Sequence, residues 1–132
     1  MAIINWKDGL EEAKKSKDEE LNQACQAAIL SGFMHEINGQ AYWFSYDYEA
    51  QGNFRDGRDI LKDGIVTEVP WTVRIGGKNG EYTRIPITLE DMNELTLTIM
   101  NHKMNHIGKY RDFLMPLVDG AITVDEIEEI TW

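Results

Sequence analysis

Two histidines, His102 and His106, stand four positions apart. On a helix that spacing brings both imidazoles to one face, where they can share a metal ion. The residues between them are Lys103, Met104 and Asn105. The glutamate that makes His-Glu-x-x-His a metalloprotease signature is therefore replaced by Lys103. A third ligand would have to come from His35 or a carboxylate. The plainer reading, two helical histidines satisfied by hydrogen bonds or water, outweighs the metal one. No metal and no cofactor is assigned, and His102 and His106 stand as the metal candidates.

Cys25 is the single cysteine. A thiol nucleophile needs a nearby base and an electropositive setting, and His35 is the base it would use. Cys25 falls among Ala24, Ala28 and Ile29, however, where a free cysteine serves as a small hydrophobe. Asp56-Gly57-Arg58-Asp59 and Asp63-Gly64 lack the alternating acids and terminal glutamate of a calcium loop. Gly76, Gly77 and Gly80 are not followed by the Lys-Ser/Thr pair of a phosphate loop. Nothing in these patterns specifies an enzyme, and the expectation is a non-enzymatic protein.

The elements that position these residues follow from periodicity. Leu10, Ala13, Lys17, Leu21, Ala24, Cys25, Ala28 and Ile29 recur at helical steps. Ser16 with Glu19 is a capping box at which this helix starts or restarts, and Ser31-Gly32 ends it. Asn38-Gly39 predicts a tight type I′ hairpin with Phe33 opposite Phe44, His35 opposite Tyr42 and Ile37 opposite Gln40. Phe33, His35, Ile37, Tyr42, Phe44 and Tyr46 then form the core face, and Trp43 is a partly exposed aromatic on the other. Asp47 caps a helix to about Lys62, with Ala50, Phe54, Ile60 and Leu61 inward and Gly64 ending it.

A second hairpin runs from about Val66 to Thr88 through Gly76–Gly80, with Pro70 and Pro86 favouring edge positions. Thr88 caps a long helix whose stripe is Met92, Leu95, Ile99, His106, Tyr110, Phe113 and Leu117. Met100, Met104, Ile107 and Leu114 widen it, and Pro116 ends or kinks it. Thr123 to Glu126 is a capping box for a short acidic helix with Ile122, Ile127, Ile130 and Trp132 as its apolar contacts.

The fold class expected is α+β. Two hairpins form a small antiparallel sheet packed by an N-terminal helix and a long C-terminal helix, and a short terminal helix closes one end. The expectation is one domain over residues 1–132, with 1–9 extended or frayed.

Composition narrows the partners. The chain has 132 residues and a formal net charge of −10. Sequence-independent nucleic-acid binding and docking on anionic lipid both need basic surface, so neither is expected. No apolar run is long enough to span a bilayer and no secretory signal is visible. One cysteine excludes an internal disulfide framework and fits a reducing compartment. Residues 119–132 hold five acids and no basic residue, half of the excess. The acidity is mostly a local solvated face, which weakens nucleic-acid mimicry as a function.

The ordered series Ser31-Gly32-Phe33, Asn38-Gly39, Tyr42 to Asp47 and Gln51 to Phe54 resembles a family of phage proteins grouped under a domain of unknown function. Trp71, Thr88 to Met92, Ile122 to Ile127 and the closing Ile130-Thr131-Trp132 continue the resemblance, which covers about residues 10–132. That domain is found in tail-fibre, fibre-assembly and baseplate-associated proteins, often at the end of a longer chain. The family has no established catalytic residues to carry over.

The resemblance implies a tail, fibre or baseplate structural or assembly accessory that binds proteins. Its place would be the virion tail, or the host cytoplasm during assembly. The alternatives are an acidic phage-encoded inhibitor or regulatory binding protein, and a small metal-binding protein using His102 and His106. Trp43, Tyr48, Gly77 and Asn79 are the interface candidates, as exposed aromatics and loop tips. The surplus stripe of the long helix allows a homo-oligomer.

Overall fold

A computed structural model describes residues 6–132, with side chains from Gly9 onward. The element order is α1 (Trp6–Leu30), β1 (Phe33–Ile37), β2 (Gln40–Phe44), α2 (Tyr48–Lys62), β3 (Glu68–Ile75), β4 (Tyr82–Thr88) and α3 (Leu89–Gly108). A π-helical segment (Lys109–Leu114), α4 (Met115–Gly120) and α5 (Val124–Glu128) complete it. The class is α+β, with one antiparallel sheet in the order β1-β2-β3-β4 built from two hairpins. The chain folds into two compact units, residues 29–103 and a second made of 1–28 with 104–132. No described helix is long and apolar enough to cross a membrane.

In the unit of residues 29–103 the turn chemistry fixes the sheet. Asn38 and Gly39 take φ of 52° and 82°, the left-handed region a two-residue turn requires. Phe33 then pairs with Phe44, His35 with Tyr42 and Ile37 with Gln40, the register the sequence predicts. Phe33, Ile37, Phe44 and Tyr46 are buried, which puts the core on the expected face. Pro70 and Pro86 lie directly opposite each other on β3 and β4. β2 pairs with β3 only at Arg74 and Ile75, so Pro70 sits where β3 has no second neighbour and its missing donor costs nothing.

α2 opens on Asp47, whose carboxylate accepts from the Ala50 amide at 2.9 Å. It closes at Asp63, after which Gly64 turns left-handed and the Ile65 amide reaches back to the Ile60 carbonyl at 3.0 Å. Gly57 weakens the helix intrinsically but is required by packing. A Cβ there would come within 2.9 Å of the Trp71 ring. Trp71 in turn stacks on Phe54 with centroids 4.7 Å apart. α3 starts in a reciprocal cap, Thr88 Oγ1 accepting from the Asp91 amide while Asp91 accepts from the Thr88 amide.

In the second unit, α1 is one unbroken helix from Trp6. It does not restart at Ser16, because Ser16 and Glu19 sit in mid-helix where the amides they would cap already have intrahelical partners. Residues 6–9 are helical rather than extended or frayed, since the turn they start continues directly into the periodic stretch. Residues 1–5 of that expectation lie outside the described part.

The long C-terminal stripe also needs correction. Tyr110, Leu114 and Val118 are buried, whereas Phe113 and Leu117 are exposed by 65% and 50%. The cause is the π turn: the Met115 amide donates to the Tyr110 carbonyl, five residues back. Pro116, at the start of α4, has no amide to offer the preceding turn. A wider turn advances the buried positions to steps of four beyond Tyr110. Before the π turn Met100, Met104 and Ile107, expected to widen the stripe, are exposed by 52%, 61% and 44%, so the buried line there is narrower than the sequence suggests.

α5 is capped as expected, by Thr123 Oγ1 on the Glu126 amide, with Glu126 returning to the Ile122 amide. Ile127 is buried, but Ile122 is 72% exposed and is no core contact. It precedes the cap and its side chain leaves the helix axis before the apolar face begins.

Candidate functional site

The histidine pair is already engaged. His102 Nε2 donates to the Ile29 carbonyl at 2.8 Å, and the His102 ring meets Tyr46 edge-on at 6.0 Å. That bond occupies one of the two ring nitrogens of His102. His106 packs its ring 6.1 Å from Trp132, which also carries the Lys109 ammonium 4.3 Å over its face. Among the described residues no group of three or more His, Cys, Asp or Glu is placed to hold a metal ion.

Cys25 is fully buried, and burial pushes its thiol pKa up, with Arg111 opposing weakly. A thiol held protonated is a poor nucleophile. His35 Nδ1 bonds Thr98 Oγ1 at 2.8 Å, while its Nε2 is buried without a partner. Desolvation lowers its pKa against the smaller opposing pull of Glu94 and Asp91. His35 is thus a neutral half-buried ring tied to α3.

The outer face of the sheet is more suggestive. Register places Met34 beside Trp43, Trp43 beside Arg74, and Arg74 beside Tyr82, one row across all four strands. Met34 and Tyr82 are exposed by 43% and 64%. Trp43 is half-buried, with its ring lying over Gly32, where a Cβ would fall 2.5 Å from it. Arg74 is held by the Gly80 carbonyl at 3.0 Å and the Tyr82 hydroxyl at 2.6 Å, and its guanidinium stacks 3.8 Å over the Tyr82 ring.

The interface candidates read from the sequence separate accordingly. Trp43 belongs to this row. Gly77 and Asn79 lie in the β3–β4 turn, whose far end Arg74 ties back, and Asn79 is exposed. Tyr48, the first residue of α2, is 72% exposed and joins neither group. Arg74 and Tyr82 were missed; the alternation of β3 and β4 counted back from the turn is the signal that finds them.

Two grooves flank α2. One, of about 450 Å³, is lined by Asp47, Glu49, Asp56, Trp71 and Tyr82 among others. The second, of about 220 Å³, is lined by Phe54, Arg55, Arg58, Met92, Ile99 and Lys103 among others. The helix itself sorts these charges. Gln51, Arg55, Arg58 and Lys62 follow at helical steps on one stripe, and Glu49, Asn53 and Asp56 on another. The second unit has a cleft of about 550 Å³, bordered by Phe113, Leu117, Glu126, Glu129 and Ile130.

Residues 12–131 match the family described as a domain of unknown function, DUF4376. The chain belongs to the DUF4376 family. No curated protein and no solved structure matches it. The DUF4376 match takes in the sheet, both grooves beside α2 and the cleft of the second unit, so each of these surfaces belongs to the family domain.

Proposed function

We propose that this DUF4376 chain is a phage tail, fibre or baseplate accessory that works by binding other proteins. The observation that carries the reading is the outer row of Met34, Trp43, Arg74 and Tyr82. Trp, Tyr and Arg are the residue types that dominate binding hot spots. Arg74 is fixed in advance by Gly80 and Tyr82, so little side-chain freedom is lost on contact. Partners are fibre or baseplate components, met in the virion tail or in the host cytoplasm during assembly. The ordered motif series from Ser31 to Trp132 is what ties the reading to phage tails.

The test is co-purification with fibre and baseplate proteins expressed from the same phage, compared with a Met34→Ser/Tyr82→Ser double variant. Both side chains are exposed, so the variant keeps the fold. The expected result is association by the parent chain and at least a tenfold loss in the variant, about 1.4 kcal/mol. Absence of binding to every tail component, together with absence from purified particles, overturns the proposal.

A further inference from the structure

We infer that the groove between α2 and α3 is a binding site for an acidic peptide segment carrying an apolar side chain. Arg55 and Arg58 point along one stripe of α2, and Lys103 closes the groove from α3. Among the described residues neither Arg55 nor Arg58 takes part in an ion pair or hydrogen bond. Lys103 lies 5.5 Å over the Tyr46 ring. Three cations thus converge in a chain whose net charge is −10.

The floor is apolar, made by Phe54 and Met92, both buried, and by Ile99. Met100, 52% exposed, borders it. A site with cations at its rim and hydrocarbon below recognises a carboxylate beside an apolar group. Its volume of about 220 Å³ accommodates one inserted side chain. Pockets that enclose a drug-sized ligand run about 300–1,000 Å³, so a free cofactor fits the groove poorly. Guanidinium groups pair carboxylates through two parallel hydrogen bonds, which suits arginine here better than lysine.

The overall negative charge does not forbid this partner. Charges farther than a Debye length of about 8 Å are largely screened at physiological ionic strength, so the three cations, offset in part by Asp59 one turn from Arg55, set the potential that a seated peptide feels. Of the acids of α2, Glu49 and Asp56 border the opposite groove, whereas Asp59 lies beside the cationic stripe and leaves two arginines and a lysine against one acid. This site goes beyond the tail-accessory reading and does not depend on it, since it lies in a groove apart from the outer row and is read with a peptide rather than with particles.

Fluorescence anisotropy with two labelled pentapeptides tests it: Glu-Glu-Leu-Glu-Glu and its counterpart Lys-Lys-Leu-Lys-Lys. The full chain should bind the acidic peptide saturably at about 0.15 M salt and more weakly as salt rises, and should not bind the basic one. Arg55→Glu with Arg58→Glu should weaken binding at least tenfold with an unchanged circular dichroism spectrum. Lys103→Met should give a smaller loss, and it decides the matter alone should the double variant misfold. No saturable binding of the acidic peptide, or binding that ignores both variants, overturns the assignment. So does a dimer of the chain that the double variant dissolves, because the occupant is then a second copy.

Discussion

In the unit of residues 29–103, rings and strands do most of the holding, with the His35–Thr98 and His102–Ile29 bonds beside them. Phe33 and Phe44 stack at 5.4 Å, Tyr46 and Phe54 lie within 6.0 Å of each other, and Trp71 stacks on Phe54. In the unit of residues 1–28 and 104–132, polar ties join residues far apart in sequence. The Tyr110 hydroxyl donates to Asp18, Lys17 donates to the Ile130 carbonyl at 2.9 Å, and Lys14 donates to the Asp119 carbonyl at 2.9 Å. Apolar packing resists pH and salt, whereas ties made by titratable groups respond to both. The first unit should therefore act as a stiff platform, and the second should be the part whose stability conditions can tune.

The sharpest way to break that contrast is to remove a ring from the platform. Phe44 is fully buried between Phe33 and Phe54. Phe44→Ala removes its transfer energy and leaves a cavity, a loss of about 3–5 kcal/mol. Urea unfolding at pH 7 should show it as a lower midpoint with little change between low and high salt. A loss under about 1 kcal/mol would mean the ring cluster is not what holds this unit.

The next test moves to the polar unit. Tyr110 is buried, and its pKa is raised, first by the hydrogen bond to Asp18, then by burial and by the Asp18 charge. A phenol whose folded pKa lies above its ordinary 10.0 favours the neutral form in the fold. The stability this adds is complete below pH 10.0 and is lost as pH rises through the higher folded value. Tyr110→Phe should cost about 1–2 kcal/mol at pH 7. It should also flatten the alkaline decline seen by denaturant titration between neutral pH and pH 11. An unchanged alkaline slope would show that Asp18 and Tyr110 do not tune this unit.

The same division explains what could be read from the sequence. Asn38-Gly39 fixed both register and face, because a two-residue turn leaves one pairing and a one-residue slip would bury every polar position. The caps at Asp47, Thr88 and Thr123 are local, so short motifs reveal them. The π turn was not legible: Pro116 signals a disturbance, but a kink, an end and a widened turn share that signal. Asp18 and Tyr110 stand 92 positions apart, and no spacing rule connects them. The candidate site divides in the same way. Trp43 was visible as an outward aromatic, while its row needed the β2–β3 pairing. The Arg55–Arg58 stripe needs the bounds of α2 to be counted, and Lys103 joins it only through the packing of α3.

The smallest expected effect lies at the C-terminal end, where the two kinds of support meet in one short helix. Thr123 Oγ1 accepts from the Glu126 amide at 3.2 Å, and Ile127 is buried one turn further on. Thr123→Ala removes the cap and leaves Ile127 in place. Caps of this kind contribute about 0.5–2 kcal/mol. α5 has only five residues and no inner turns to spare, so fraying at its first amide reaches Ile127 directly. The expected result is a loss near about 1 kcal/mol, with faster amide exchange confined to residues 124–130. Exchange that instead rises through the strands of residues 33–44 would show that the two units do not open separately, and would remove the basis for treating them as platform and tunable part.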